Sequence, residues 1–142
     1  MEPVDALHPG LERLREAAVQ EGFRFLERLA EEWASGANRF GADGEALRGA
    51  FRAGRLTGVC GLNRDPYLAG RERVGRLRHL YVLPGERRRG TAGLLVRDLL
   101  ADARAHFDVV RLRTATPDAA AFYAALGFTP VAEPAATHRL VL

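Results

Sequence analysis

The stretch from Leu80 to Leu95 constrains the fold of this chain more than any other part of its sequence. Its letters, LYVLPGERRRGTAGLL, predict a strand, a sharp turn, a basic loop that contains a glycine, and the start of a helix. This order places backbone amides and the positive end of a helix dipole where a strand ends, which suits a pyrophosphate. The chain is therefore expected to hold a phosphorylated ligand.

Small residues and arginines share this loop, and each type has a physical reason to be there. Gly90, Ala92 and Gly93 carry little or no side chain, so phosphate oxygens can approach the backbone amides closely. The arginines at 87–89 can pair with phosphate oxygens in a bidentate manner. The lysine-bearing pattern of nucleotide-hydrolysing loops and the glycine fingerprint of dinucleotide sites are both absent, so neither activity is predicted.

Two motifs in this order resemble those of the GNAT superfamily of acyl-CoA-dependent N-acyltransferases. Arg87-x-x-Gly90-x-Ala92 is similar to the acyl-CoA loop of that family, Gln/Arg-x-x-Gly-x-Gly/Ala. The segment 119–128, AAAFYAALGF, resembles its second signature, Ala-x-x-Phe-Tyr-x-x-x-Gly-Phe. The resemblance covers residues 46–142 well and the first 45 residues only loosely.

The resemblance implies an α/β (α+β) fold with a mixed, mostly antiparallel central sheet flanked by helices. Two central strands, here 74–82 and 108–114, are expected to splay apart so that the pantetheine arm of the cofactor enters between them. Alternation along 74–82 predicts that Arg76, Arg78 and Leu80 share one face, and that Leu77, His79 and Tyr81 share the other.

Hydrophobic periodicity and turn residues predict the element order αα, ββ, β, α, β, α, β, β. Residues 10–34 are predicted to form two short helices, or one kinked helix, with a break at Glu21-Gly22. The other predicted elements are strands at 46–52, 56–62 and 74–82, a helix from Ala92, a strand at 108–114, a helix capped by Thr116 and ended at Gly127, and strands at 128–132 and 137–142. Val4 to Leu7 is a candidate first strand, and Asn63 to Tyr67 is predicted to leave the sheet.

Acetyl-CoA is the cofactor that the resemblance implies. Tyr123 matches the family tyrosine that protonates the leaving thiolate, and Thr116 stands where many relatives carry an asparagine that contacts coenzyme A, so that contact is lost or replaced. The backbone of the strand end is expected to bind pantetheine and polarise the acetyl carbonyl. The expected cofactor-binding residues are Leu80, Tyr81, Val82, Arg87, Arg88, Arg89, Gly90, Thr91, Ala92, Gly93 and Thr116.

The general base and the acceptor are less defined by the sequence, because strand 74–82 contains no carboxylate. Candidate bases are His79, Asp65, Glu31, Glu32 and His138, and deprotonation through water is a further alternative. The acceptor is expected over the sheet, and the polar and aromatic residues there indicate a small polar amine or an amino-acid-like molecule. Its expected lining residues are Trp33, Asn38, Arg39, Asp65, Tyr67 and His79.

Length and composition limit the number of domains and the kinds of partner that this protein is expected to have. With 142 residues, 47% of them hydrophobic, the chain is expected to fold as one domain, 1–142, without a metal or a disulfide. Its single cysteine, Cys60, lies in an apolar run and is predicted to be a buried strand residue rather than a nucleophile. The net charge of +3, the polar N-terminus and the lack of a membrane-length apolar run favour a cytoplasmic protein without a nucleic-acid or membrane partner.

These observations together predict an N-acetyltransferase that passes an acetyl group from acetyl-CoA to a primary amine of a small molecule by direct attack. Two alternatives stay open. One is a non-catalytic acyl-CoA-binding sensor on the same fold, and the other is a protein or peptide N-acetyltransferase with an open groove. The sequence also leaves open the acceptor, the acyl chain length and the oligomeric state, a homodimer included.

Overall fold

The structure is a computed structural model, and it describes residues 1–68 and 73–142. Within these residues the strands are β1 Glu2–Pro3, β2 Ala46–Arg52, β3 Arg55–Arg64, β4 Val74–Val82, β5 Val109–Leu112, β6 Thr129–Glu133 and β7 Ala136–Val141. The helices are α1 Pro9–Gln20, α2 Phe25–Ser35, α3 Thr91–Ala103 and α4 Pro117–Ala125, with a 3₁₀ turn at Pro84–Glu86. None of the described helices is long and apolar enough to cross a membrane.

The strands form a seven-stranded sheet in the order β1-β2-β3-β4-β5-β7-β6. The β4–β5 pair is parallel, and every other neighbouring pair is antiparallel. Apolar side chains cover both faces, with one cluster beneath α3 and α4 and a second beneath α1 and α2. The mixed, mostly antiparallel sheet flanked by helices is thus confirmed.

The central strands separate after a short paired segment. The parallel pairs of β4 and β5 are Val74 with Val109, Gly75 with Val110, and Arg76 with Arg111. Beyond Arg76, β4 continues to Val82, whereas β5 ends at Leu112. The predicted splay is therefore present, and among the described residues no strand lies beside the β5-facing edge of residues 77–82.

A β-bulge interrupts β4 just where the strands have separated. Tyr81 pairs with Val59 and Arg78 pairs with Gly61, so His79 and Leu80 together oppose the single residue Cys60. His79 takes a positive φ of 61° to accommodate the extra residue. Because one inserted residue reverses the alternation, Tyr81 packs toward α1 and α2, and Leu80 packs in the cluster beneath α3.

Because of the bulge, the predicted grouping of the β4 side chains on the two faces of the sheet is wrong after Arg78. Leu80 does not share a face with Arg76 and Arg78, and Tyr81 does not share one with Leu77. His79 packs against Phe40, with ring centroids 6.1 Å apart, and so lies on the α2 side.

The N-terminal strand prediction is also wrong. Strand β1 is Glu2–Pro3, and residues 4–7 make a turn in which Asp5 Oδ1 accepts a hydrogen bond from the Leu7 amide at 2.8 Å. The His8 side chain then caps α1, accepting from the Gly10 amide at 3.0 Å. The local side-chain bonds of Asp5 and His8 thus favour a turn over residues 4–7, where a strand was expected, and the helix begins after it at Pro9.

Other boundaries differ by a few residues. Strand β3 extends through Asn63 and Arg64, which pair with β4, so the chain leaves the sheet later than predicted. Strand β5 is shorter than 108–114 because β7 pairs with it only from Val109 to Leu112. The predicted cap of α4 is confirmed, since Thr116 Oγ1 accepts from the Ala119 amide at 3.2 Å.

Candidate active site

The loop between β4 and α3 presents a run of backbone amides that find no acceptor in the described part of the chain. Gly90 is the N-cap of α3, has a φ of 76° and makes no side-chain cap. Leu94 donates to the Gly90 carbonyl at 3.0 Å as the first helical bond, and no described residue accepts from the amides of residues 88–93. Because unpaired amides at a helix N-terminus carry positive partial charge, this loop can bind an anion.

The arginines of this loop divide into one that is engaged and two that are exposed. The Arg87 guanidinium donates two bonds to the Glu21 carboxylate, at 2.7 and 3.0 Å, and a third from Nε to the Val82 carbonyl at 3.0 Å. Arg88 is exposed and makes no ion pair with a described residue, and Arg89 Nε lies 3.6 Å from Glu86 Oε2. Arg88 and Arg89 thus remain available to phosphate, whereas the Arg87 side chain fastens the loop to the turn after α1.

Tyr81 completes this fastening. Its hydroxyl donates to Glu21 Oε1, and its ring lies 5.5 Å below the Arg87 guanidinium carbon. The hydrogen bonds from Arg87 and then Tyr81 hold the pKa of Glu21 below its ordinary value, so the carboxylate stays charged. Sequence reasoning missed this role because Glu21 and Arg87 are far apart along the chain.

Replacing Glu21 by glutamine is expected to weaken the binding of acetyl-CoA, the cofactor that the resemblance implies, about two- to fivefold, because a partly exposed ion pair contributes up to roughly 1 kcal/mol. The dissociation constant from isothermal titration calorimetry measures this effect. Glu27→Gln is the matched control, since Glu27 pairs with exposed Arg24 away from the loop. Equal dissociation constants for the two variants would show that the bond between Glu21 and Arg87 does not shape the loop between β4 and α3.

Tyr123 lies in the cluster beneath α3 and α4, on the other side of the sheet from α2. Its side chain is 9% exposed, and its ring contacts those of Phe122 and Phe128 at centroid distances of 5.0 and 5.6 Å. No described residue hydrogen-bonds to its hydroxyl. Burial raises the pKa of Tyr123, so the phenol remains protonated and able to donate.

Cys60 shares this cluster and is fully buried, as predicted. Burial raises the pKa of its thiol to about 12, so the nucleophilic thiolate is scarce at neutral pH. We expect Cys60 to resist an aromatic disulfide reagent in the native protein and to react within seconds in denaturant. A native reaction as fast as the denatured one would contradict this burial.

The opposite face of the sheet, on the side of α1 and α2, carries an ionic network around β4 and β5. The Asp65 side chain is 0% exposed, and its Oδ2 lies 2.8 Å from Arg111 Nε and 3.7 Å from Arg76 Nη1. Arg78 Nη2 donates to Glu32 Oε1 at 3.2 Å. The sequence pointed to Asp65 but missed Arg76 and Arg111 as its partners, because strand alternation does not show which buried charges meet.

The remaining expected acceptor residues divide between this network and the surface. Tyr67 is 54% exposed, and its ring stacks 4.7 Å from the guanidinium carbon of Arg76. Arg39 is exposed and donates from Nε to the Trp33 carbonyl at 2.7 Å, so this pair closes the end of α2. Asn38 Oδ1 accepts from the Phe40 amide at 3.0 Å and shapes the same turn.

Buried polar atoms without a hydrogen-bond partner concentrate around this face. Native proteins leave few such atoms, and each one marks a place where water or a ligand can bind. Among the described residues these atoms are Glu32 Oε2, Asn38 Nδ2, Asn63 Oδ1, Arg76 Nη1, both ring nitrogens of His79, Arg111 Nη2 and Glu133 Oε1. We refer to this group as the polar face. It lies beside the bulge and the opening between β4 and β5.

The candidate bases are distributed unevenly over the structure. Glu32 and His79 belong to the polar face, and burial followed by the charge of Arg78 lowers the pKa of His79 to about 3. Both oxygens of Asp65 are already engaged, by Arg111 and the Tyr67 amide. His138 is paired with Leu112 and so lies on the α3 side, while Glu31 is exposed.

Comparisons with known proteins agree with this architecture. The sequence model of the acetyltransferase (GNAT) family matches residues 10–128. A crystal structure of a protein from Exiguobacterium sp. 255-15 described as an acetyltransferase is 30% identical, covers 99% of this chain and 91% of its own, and has a TM-score of 0.86. No curated protein matches the chain.

Two more distant structures contain a cofactor. A GNAT-family acetyltransferase from Brucella melitensis, solved in complex with acetyl-CoA, is 20% identical over 94% of this chain and 80% of its own, with a TM-score of 0.71. A protein from Salmonella typhimurium described as an acetyltransferase, also solved with acetyl-CoA, is 21% identical over 82% of this chain and 72% of its own, with a TM-score of 0.61.

Proposed function

The chain belongs to the GNAT family of acetyltransferases, and from this premise we propose that it transfers an acetyl group from acetyl-CoA to a primary amine of a small molecule. Residues 1–142 would act as one catalytic domain. The observation that carries the proposal is the coincidence of the splay between β4 and β5 with the unpaired amides of residues 88–93 at one end of it.

The cofactor would lie along this opening. The amides of residues 88–93 would hold the pyrophosphate, and Arg88 and Arg89 would reach its oxygens or the 3′-phosphate. The backbone of Leu80, Tyr81 and Val82 would bind the pantetheine arm, since β5 does not use the groups on that edge. Of these groups, the Val82 carbonyl already accepts from Arg87 Nε at 3.0 Å. The acetyl-CoA complexes of the two family-like structures support this cofactor.

The bulge at His79 would supply the site for the acetyl carbonyl. An extra residue re-aims backbone groups away from the regular ladder, and a backbone N–H directed at the carbonyl stabilises the oxyanion that forms during attack. The amine nitrogen attacks this carbonyl carbon, and the C–S bond then breaks. The coenzyme A sulfur takes its proton from the Tyr123 hydroxyl, and the tyrosine regains a proton from solvent, which also receives the protons that the amine loses.

The proton lost by the amine would leave on the α2 side. Glu32 Oε2 is buried, has no hydrogen-bond partner among the described residues and belongs to the polar face, so it can accept from the incoming ammonium. His79 stays neutral because of its depressed pKa and can accept a hydrogen bond without carrying charge. We assign Glu32 as the group that receives or relays this proton.

Thiol release in the presence of amines tests the proposal directly. The purified protein is incubated with acetyl-CoA and a library of small amines, and free coenzyme A is measured with a thiol reagent. Release that depends on an amine supports the enzyme. Acetyl-CoA binding by calorimetry, without release of coenzyme A in the presence of any amine, would favour the sensor. Thr116 is a second reason to keep that alternative, because its hydroxyl caps α4 where many relatives carry an asparagine that contacts coenzyme A.

A further inference from the structure

Two buried arginines meet where β4 and β5 last pair. Arg76 and Arg111 are register partners, and their side chains are 8% and 5% exposed. Among the described residues, the Asp65 carboxylate lies between them, 2.8 Å from Arg111 Nε and 3.7 Å from Arg76 Nη1. The second distance is too long for a hydrogen bond, so Asp65 Oδ2 binds Arg111 and only faces Arg76.

Both arginines of this pair have buried hydrogen-bond donors without an acceptor among the described residues. Arg76 Nη1 and Arg111 Nη2 are buried and donate to no described residue, and the next carboxylate, Glu133, lies 3.8 Å from Arg111 Nη1. The Tyr67 ring stacks on the flat face of the Arg76 guanidinium. This contact leaves the N–H groups in the plane of the guanidinium available for hydrogen bonds. A buried cation is costly unless its charge and its hydrogen bonds are matched, so this pair favours a further anion.

A hydrogen-bond acceptor for an ammonium lies on the same face. Arg76 and Arg78 are two residues apart on β4, and Arg78 holds Glu32, whose Oε2 has no described partner. The positive and negative charges on this side of the sheet are equal in number. Its ion pairs join three arginines, Arg76, Arg78 and Arg111, to three carboxylates, Glu32, Asp65 and Glu133. A balanced site with separate donors and acceptors suits a zwitterion better than a simple amine.

We propose that the acceptor is a small free amino acid, with its carboxylate held by Arg76 and Arg111 and its amine directed toward Glu32 and the acetyl carbonyl. This assignment rests on the proposed function and narrows its substrate class. It also disfavours peptide N-termini, because a peptide bond replaces the carboxylate of the acceptor and leaves the unused donors of both guanidinium groups without a partner.

The test uses the wild-type protein with matched pairs of acceptors. A panel of α- and ω-amino acids is compared with the corresponding carboxamides, and kcat/KM is measured by thiol release. For the best substrate we expect the free acid to exceed its amide by about tenfold or more, because a charge-assisted contact is lost in the amide. Equal or faster turnover of amides, or of peptides, would overturn the assignment while leaving the acetyltransferase function intact. No turnover with any amine would overturn both.

Variants of the arginines add a second readout. Arg111→Gln is expected to raise KM for the amino acid about tenfold or more and to leave KM for its amide within twofold of the wild type. Arg113→Gln is the matched control, because Arg113 is exposed just after β5. An equal rise for acid and amide would assign Arg111 a structural role only and contradict the proposal. The acid and amide comparison in the wild type stands even where Arg111→Gln does not fold.

Discussion

Replacing Gly90 with valine is expected to lower the affinity for acetyl-CoA by about 10²-fold or more. Gly90 has a φ of 76°, a backbone region that costs a β-branched residue roughly 1–2 kcal/mol or more. To relieve this strain the loop must turn, which redirects the amides of residues 88–93. Losing two charge-assisted hydrogen bonds to phosphate removes about 3 kcal/mol or more of binding free energy.

The surroundings of Gly90 make the cause of this loss identifiable. A Cβ at Gly90 would meet no atom of the described residues within 4 Å, so a bulky residue does not disturb the core. Gly85 is the matched control, since a Cβ there also meets nothing within 4 Å and its φ is not positive. Calorimetric titration with acetyl-CoA should leave Gly85→Val within about threefold of the wild type. If Gly90→Val, with an unchanged melting temperature, binds equally well, the loop amides do not hold the diphosphate.

Elements whose signals are local could be predicted from the sequence. The periodic apolar residues of α3 and the Thr116-Pro117 start of α4 depend on neighbours within a few residues, and both are present as predicted. The bulge at His79 was not predicted, because it depends on the register between β3 and β4. A single unpaired residue then reversed the faces of Leu80 and Tyr81.

The candidate site divides in the same way. The glycine loop is contiguous, so its amides and small residues could be identified from the motif alone. The polar face joins groups from separate elements, such as Arg111 and Asp65, whose hydrogen bond spans 46 positions. Arg87 illustrates the limit most clearly, since its motif position predicts a phosphate ligand but does not show that its side chain also binds Glu21, 66 positions away.

Replacing Tyr123 with phenylalanine is expected to lower kcat for acetyl transfer about 10²-fold, with the dissociation constant for acetyl-CoA within about twofold of the wild type. The phenol would give its proton to the departing sulfur, and general acid catalysis typically contributes 10²- to 10⁴-fold. Phenylalanine keeps the ring contacts with Phe122 and Phe128, so the packing beneath α4 is retained.

The same substitution separates a catalytic from a structural role for this hydroxyl. Because the Tyr123 hydroxyl has no hydrogen-bond partner among the described residues and its side chain is 9% exposed, removing it should leave the free energy of unfolding unchanged or slightly raised. Steady-state thiol release, cofactor titration and urea unfolding measure the three quantities on one preparation. A kcat within threefold of the wild type would exclude Tyr123 as the acid. A fall in kcat together with lost stability and weaker cofactor binding would point instead to a packing role.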